Sequence, residues 1–350
     1  MFENLVVVSD DFPCVSLLVA CRNEVDSIKK CIESLFAQDF PGDKLEVIIL
    51  DGLSTDGSRE LIRDLIAGHP NFRLVDNPKI HQAAAWNLGL ELCTGEVISI
   101  VSGHVILSPD YVIKAIETLQ RTGADMVGGT VRSVSDGLVG KAIAIAISHP
   151  FGVGGARFRY TDKEEETDSV FMGFCHRSVF EKNGKFDEEL VRNQDDEFSY
   201  RLRKSGGRII CNPDIQSLYQ SRSNYKSLWR QYFQYGLYKV RVLQKHHRQM
   251  SPRQFIPPAF VTGILLSIIL SVILSWGWIV LAGLIGIYFL VNVIVSLKIA
   301  LREGLQYLPL LPIVFPTLHV SYGLGFISGL FKFWDRWNDK LGKVARLERR

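Results

Sequence analysis

The sequence predicts an α/β fold, a Rossmann-like nucleotide-binding domain followed by transmembrane helices toward the C-terminus. Three observations carry this. Val47–Leu50 is a continuous apolar run that stops on Asp51, as in a parallel strand buried on both faces. Cys14–Ala20 is a second such run, and both are followed by polar loops and helical patterns. No Asp, Glu, Lys or Arg occurs between Phe260 and Leu297; a helical span needs about 20 apolar residues, so two spans fit there.

The first unit runs from Cys14–Ala20 into Cys21-Arg22-Asn23-Glu24. A helix follows, with Ile28, Ile32, Leu35 and Phe36 as its apolar face. The second runs from Val47–Leu50 into Asp51-Gly52-Leu53-Ser54-Thr55-Asp56-Gly57, with a helix over Ser58–Ile66. Open α/β sheets bind ligands at the carboxyl ends of their strands. Asp51 therefore stands where a sugar hydroxyl or a base N–H can be read. The same residues also read as a strand, an Asp-Gly turn and a helix cap at Ser54 or Asp56. Neither G-x-G-x-x-G nor G-x-x-x-x-G-K-[ST] is present, which argues against a dinucleotide and against a P-loop NTPase.

Phe72–Val75 reads as a third strand, closed by Asn77-Pro78. Gln82–Leu92 is helical, with Asn87 a polar residue among apolar neighbours. Gly95–Val101 is a central strand ending in Ser102-Gly103-His104, and Pro109 starts a helix over Asp110–Arg121. Met126–Val131 is a further strand, and Leu138–Ile147 reads as helix or strand. Phe151–Ala156 is expected to be a flexible loop, followed by Arg157 and Arg159. The acidic run Asp162–Asp168 reads as solvated loop. Gln194-Asp195-Asp196-Glu197 opens a helix that Gly206 and Gly207 end, and Arg208–Cys211 is a last strand. Three acids at a helix start suit the macrodipole. They also offer a carboxylate able to take a proton in a cleft.

The expected organisation is a soluble domain over 1–250 and a membrane domain over 251–350. Spans are expected over about 259–276 and 278–298, with a third hydrophobic segment over about 305–331. Pro309, Pro312 and Pro316 leave that segment free to span once, kinked, or to dip in and return. Arg222–Arg253 is rich in Lys and Arg, as is the tail after Phe331, so the positive-inside rule puts both flanks in the cytoplasm. Two full spans with an interfacial or re-entrant third segment satisfy that parity. Phe333, Trp334 and Trp337 among the tail's charges suggest a surface-lying basic amphipathic helix. Met1–Asp11 is short and acidic, so no signal peptide is expected. The six cysteines lack zinc spacing and read as reduced, buried thiols. A net charge of +3 decides little, and no nucleic-acid partner is expected.

The order of these pieces resembles glycosyltransferase family 2, with the GT-A fold. The matching residues are Arg22-Asn23-Glu24, Asp51–Gly57, Asn87 before Gly95-Glu96, and Asn193–Arg201. Pro150–Gly154, Val191–Glu197 and Gln231–Gly236 are similar to its membrane-bound, succinoglycan-type exopolysaccharide transferases. The resemblance spans roughly Pro13 to Lys245. It implies that Glu24 and Asp51 hold the nucleotide's ribose and base, with Arg22, Asn87 and Ser102 also in the nucleotide-sugar set. Asp195 matches the family's catalytic base, and Gln194 replaces the Glu usual beside it. Asp196, Arg222, Trp229, Arg230 and Gln231 fall in the acceptor and diphosphate region. The family expects an acidic metal motif where Ser102-Gly103-His104 stands. Ser102 is a poor cation ligand, which leaves His104 as the metal candidate for Mn2+ or Mg2+. Should metal binding be weak, Arg222, Lys226 or Arg230 are candidates for neutralising the leaving group; His81 is a lesser candidate.

The expected activity is inverting transfer of a sugar from a nucleotide-sugar, a UDP-hexose, to a lipid-linked polyprenyl acceptor in cell-surface polysaccharide synthesis. The expected place is the inner membrane, with the catalytic domain cytoplasmic. The alternatives are a polyprenyl-phosphate sugar synthase and a non-catalytic, membrane-anchored nucleotide-sugar-binding partner.

Overall fold

The computed structural model describes residues 12–274 and 276–339. The opening segment, Ser275 in the turn between the two apolar runs, and the basic tail from Lys340 onward lie outside these. In chain order the elements are β1 (Val15–Cys21), α1 (Ile28–Phe36), β2 (Leu45–Asp51), α2 (Ser58–Ile66), β3 (Phe72–Asp76), α3 (Gln82–Leu92), β4 (Val97–Ser102), β5 (Val105–Leu107), α4 (Tyr111–Thr122) and β6 (Met126–Val134). There follow α5 (Gly137–Ala146), α6 (Pro150–Val153), β7 (Glu165–Glu166), β8 (Phe171–His176), α7 (Arg177–Asn183), α8 (Gln194–Lys204), β9 (Ile209–Gln220) and α9 (Tyr225–Lys245). The last three are α10 (Ile256–Ile273), α11 (Gly277–Glu303) and α12 (Leu311–Lys332).

The described strands form one mixed sheet in the order β3-β2-β1-β4-β8-β6-β9-β5, with β7 paired to β9. The chain divides into two compact units. The first holds the residues up to Gly129, Lys163–Phe186 and Leu202–Ser217. Its centre is the parallel set β3-β2-β1-β4, flanked by antiparallel β8. Every residue of β1 is buried, which is why its sequence does not alternate. Cys21 pairs with Asp51, and Ala20 with Ser102. The exits of β1, β2 and β4 therefore lie side by side, and three polar loops share one edge of the sheet. α3 closes over β1 and β2 because Gly89 has no side chain: a Cβ there would stand 2.9 Å from Leu18 and Leu50.

The second unit holds Thr130–Asp162, Asp187–Arg201 and the chain from Leu218 on. α9 and α12 lie against each other through glycines. A Cβ at Gly236 would meet the Tyr322 carbonyl, and one at Gly325 the Phe233 carbonyl, both at 2.1 Å. Ala142, Ile143, Leu228, Leu311, Phe315 and Leu318 form an apolar core along one end of that pair. Buried charges cluster at the other end. Arg241 is fully buried and binds Glu189, which also takes Arg336 and Lys245. α10 with the turn before it, α11 and α12 are each long and apolar enough to cross a membrane. The first two leave most large apolar side chains outward, whereas half of the apolar stretch of α12 is buried.

In the third hydrophobic stretch, left open between a single kinked span and a segment that dips in and returns, α12 is a continuous helix over Leu311–Lys332 with Pro316 inside it. Three segments differ from the expectation. Phe151–Ala156 is not wholly loop: α6 forms there because His149 Nδ1 accepts the Phe151 N–H at 3.1 Å, an N-cap without a Ser or Asp. Part of the acidic run pairs instead of being solvated, with Glu165 opposite Cys211 and Glu164 bound to Arg121. The last strand continues past Cys211 to Gln220. Pro213 does not stop it, because the Asp214 N–H is taken by Asn212 Oδ1 at 2.9 Å and needs no ladder partner. Leu138–Ile147, left open between helix and strand, is the helix α5.

Candidate active site

In the first unit the three adjacent strand exits form a polar rim. Asp51, the last residue of β2, is fully buried. Its carboxylate accepts the Ser54 hydroxyl at 2.5 Å and the Ser54 N–H at 3.1 Å, and Arg59 reaches it at 3.2 Å. Arg59 also binds Asp76. Leu53 takes a left-handed conformation (φ 57°), which folds the loop back so that Ser54 can reach Asp51. Asp56 is exposed, yet it accepts the Ser58 N–H at 3.0 Å and the Val25 N–H at 3.1 Å, so it both ties the start of α2 and fixes the loop after β1.

That second loop is pinned in turn. Asn23 (φ 53°) donates its N–H to Ser54 Oγ and accepts the Thr55 N–H, both at 2.9 Å. The Glu24 N–H is held by Ser58 Oγ at 2.9 Å, and its carboxylate meets His104 Nδ1 at 3.0 Å. Glu24 and His104 are both half-buried. Arg22 is half-buried too; its Nε is shielded from solvent and has no hydrogen-bond partner among the described residues. At the third exit, Ser102 Oγ accepts from Gln82 Nε2 at 3.2 Å. Gly103 is required by close approach, since a Cβ there would stand 2.8 Å from the Cys21 Cβ. Asn87 sits apart, inside α3. Its amide donates to the Phe186 carbonyl and accepts the Phe186 N–H, both at 2.9 Å, so its bonds hold the framework.

In the second unit the acids at the start of α8 fall into unlike environments. Asp195 is reached by solvent, and its carboxylate accepts the N–H of Asp196 at 2.9 Å. Desolvation by surrounding protein, and then the neighbouring Asp196 charge, raise its pKa above the ordinary carboxylate value. Asp196 is tied down by Lys239 at 2.5 Å and Gln249 at 2.6 Å. Glu197 is buried, which alone would raise its pKa. Hydrogen bonds from His246 and Arg201 outweigh that and hold it below the usual range. Of the residues expected near acceptor and diphosphate, Gln231 is partly buried and its Nε2 lies 3.2 Å from both the Tyr219 and Tyr235 hydroxyls. Arg222, Trp229 and Arg230 are exposed.

Residues 16–184 match the Glycosyl transferase family 2 pattern. The succinoglycan biosynthesis protein ExoA of Rhizobium meliloti is 30% identical over 332 residues, covering 94% of this chain and 99% of that protein. The chain belongs to glycosyltransferase family 2. A second relative of the same family reach is a dolichyl N-acetyl-alpha-D-glucosaminyl phosphate 3-beta-D-2,3-diacetamido-2,3-dideoxy-beta-D-glucuronosyltransferase of Methanococcus voltae. It is 28% identical over 326 residues, 91% of this chain and 97% of that one. Among solved structures, the mannosyltransferase PcManGT of Pyrobaculum calidifontis, in complex with GDP-Man and Mn2+, superposes with a TM-score of 0.58 at 18% identity. The superposition covers 92% of this chain and 88% of that one and establishes the GT-A fold. This family 2 enzyme is thus a GT-A glycosyltransferase carrying three long apolar helices.

The sequence left several partners of the named residues unnoticed. Arg59 and Ser54 complete the Asp51 clamp, Gln82 holds Ser102, and Lys239 with Gln249 holds Asp196. Only Arg59 carried a usable signal: it is a cation in the first turn of α2, directly after the Asp51 loop.

Proposed function

We propose that this family 2 enzyme transfers a hexose from a UDP-sugar, with inversion, to a hydroxyl of a lipid-linked saccharide. The rim of the first unit binds the donor. Glu24, Arg22 and Ser102 are its contacts, Asp51 holds the loop that shapes the rim, and Asn87 is framework. Support comes from the shared strand exits and from the buried Arg22 Nε, since a shielded donor without a partner calls for an acceptor such as a ligand oxygen. Asp195 is the general base. It takes the proton of the acceptor hydroxyl as that oxygen attacks the anomeric carbon, and the bond from anomeric carbon to diphosphate oxygen breaks. The nucleoside diphosphate leaves with the electron pair. The observation that carries this reading is the contrast at the start of α8: Asp196 and Glu197 are neutralised by cations, while Asp195 is kept basic and open.

Among the described residues no three His, Cys, Asp or Glu side chains converge as a metal site. The donor set that does exist suits a cation completing its shell from elsewhere. A histidine oriented by a carboxylate on Nδ1 is a common ligand arrangement, and Mg2+ or Mn2+ fills its remaining positions with water and phosphate oxygens. His104 would hold the ion and Glu24 would orient His104. When bound, the ion supplies positive charge to the departing diphosphate.

The lipid-linked acceptor is supported by the apolar helices and by the relative from Methanococcus voltae, whose named acceptor is a dolichyl-phosphate sugar. α12 follows α9, which carries Lys226, Arg230, Lys239, Arg241 and Lys245 along its length. In this reading α12 stays with α9 at the membrane surface, α10 and α11 cross, and both flanks are cytoplasmic. The test is Asp195→Asn in the full-length enzyme with UDP-sugars and a membrane lipid extract. Transfer should fall by about a thousandfold or more while UDP still binds; undiminished turnover would remove Asp195 as the base.

A further inference from the structure

We infer that Arg159 and Arg192 form a phosphate site beside Asp195 that holds the diphosphate of the lipid-linked acceptor. The inference rests on the reaction proposed above and adds where the second substrate's charge is held. All the residues concerned lie in the second unit. Arg159 comes from the turn after α6. Its guanidinium stands 5.6 Å over the Tyr219 ring, with Nη1 3.4 Å from Ser133 Oγ. Arg192 precedes α8 and donates from Nε to Gln234 Oε1 at 3.2 Å. Tyr235 joins them. Its backbone carbonyl accepts from Asn193 at 3.1 Å, and its hydroxyl shares Gln231 Nε2 with Tyr219.

Contacts link the two arginines: Arg159 lies over Tyr219, Gln231 joins Tyr219 to Tyr235, and Arg192 and Asn193, which lead into Asp195, bond to Gln234 and Tyr235. In keeping with this, Arg192 and Arg159 lower the Tyr235 pKa against the rise that burial and Tyr219 cause. Tyr232 packs edge-on to Tyr235, ring centroids 5.4 Å apart.

The decisive feature is what these two arginines lack. Arg201 and Arg241, in the same unit, each bind a carboxylate within 2.8 Å. Among the described residues neither Arg159 nor Arg192 has a carboxylate within ion-pair distance, although both are partly buried. Two partly buried guanidiniums without a carboxylate leave positive charge unbalanced, and an anion balances it. Guanidinium forks match phosphate oxygens with paired hydrogen bonds. The tyrosine hydroxyls add hydrogen-bonding groups. A diphosphate could come from the acceptor or from the donor nucleotide. The acceptor is favoured because the site shares its unit with the base and the apolar helices, whereas the donor-side residues belong to the other unit. In a lipid-linked sugar the diphosphate is one ring away from the hydroxyl to be deprotonated.

The experiment uses the full chain in detergent, titrated separately with undecaprenyl diphosphate and with UDP. Arg159→Gln and Arg192→Gln should each weaken undecaprenyl diphosphate binding about tenfold or more, leaving the UDP affinity within twofold. Arg159→Lys and Arg192→Lys, which keep charge but lose the fork, should fall between. Melting temperatures within about 2 °C of the parent establish that the variants fold. Lost UDP binding with unchanged undecaprenyl diphosphate binding would hand the site to the donor and overturn the inference, as would no change in either. Asp195→Asn separates the two proposals. Full turnover in that variant, with arginine-dependent lipid binding intact, ends the base assignment and leaves the phosphate site standing.

Discussion

Asp51 and Asp195 are both carboxylates at the boundary of a regular element and a loop, and they are built in opposite ways. Asp51 is completely buried and saturated, with Ser54 giving two hydrogen bonds and Arg59 an ion pair. Asp195 is reached by solvent, has a like charge as its neighbour and draws one backbone N–H. Saturation suits a carboxylate that holds a loop in shape. In the reaction proposed above, a carboxylate that accepts a proton must remain basic, which saturation would prevent. On that reading the difference separates a residue that shapes a site from one that acts in it.

The sharpest way to break this comparison is to remove one carboxylate at a time. Asp195→Asn should abolish transfer by about three orders of magnitude with little change in UDP affinity. Asp51→Asn should do the reverse in kind. UDP affinity should fall tenfold or more and stability by about 2 kcal/mol, because Arg59 loses its buried partner but keeps Asp76. Calorimetric UDP titration and thermal melting of both variants measure this directly. Equal loss of UDP binding in the two would erase the distinction.

A middle-sized effect concerns pH. The base works deprotonated, so kcat/KM should fall on the acid side as the pH drops through the raised Asp195 pKa. That limb should lie above the ordinary aspartate value of about 3.9. Lys239 lowers the Asp195 pKa through space and holds Asp196. Lys239→Met should therefore move the limb further up. A limb that stays put in Lys239→Met would mean that the Lys239 charge does not reach the titrating group, and would count against Asp195 as that group.

The parallel strands and the helices that follow them were legible in the sequence, because burial on both faces leaves an unbroken apolar run. Ser58–Ile66 and Gln82–Leu92 are read from periodicity to the residue. The Asp51 loop was legible as a strand exit leading into a turn and a helix start, and the strand does end on Asp51. The acceptor side was less so. Arg222, Trp229 and Arg230 are exposed, whereas Arg159 and Arg192, which the sequence did not single out for this side, are partly buried. A sequence displays the charge of an arginine but not whether a carboxylate has been folded onto it. Arg241 makes the same point: it looks like one more basic residue of a membrane-flanking helix, yet it is fully buried on Glu189. β9 was cut short for a related reason, since Pro213 stops a strand only when its neighbours depend on ladder bonds.

The smallest expected effect is the most specific to the comparison. A carboxyl whose pKa is higher in the folded than in the unfolded chain binds its proton more tightly when folded. Its stabilising contribution is present at low pH and is lost as the pH rises through the unfolded and then the folded value. At neutral pH the charged Asp195 therefore costs the fold some stability, an amount limited by the access of solvent to the side chain. Asp195→Asn should melt at or slightly above the parent temperature at pH 7, by about 1 °C, and the gap should close as the pH approaches 4. Asp51→Asn should melt lower, because its parent carboxylate is satisfied rather than strained. A residue kept basic for a reaction is one whose removal relieves the fold. A parent enzyme that melts several degrees higher than Asp195→Asn would show instead that this carboxylate is a structural partner like Asp51.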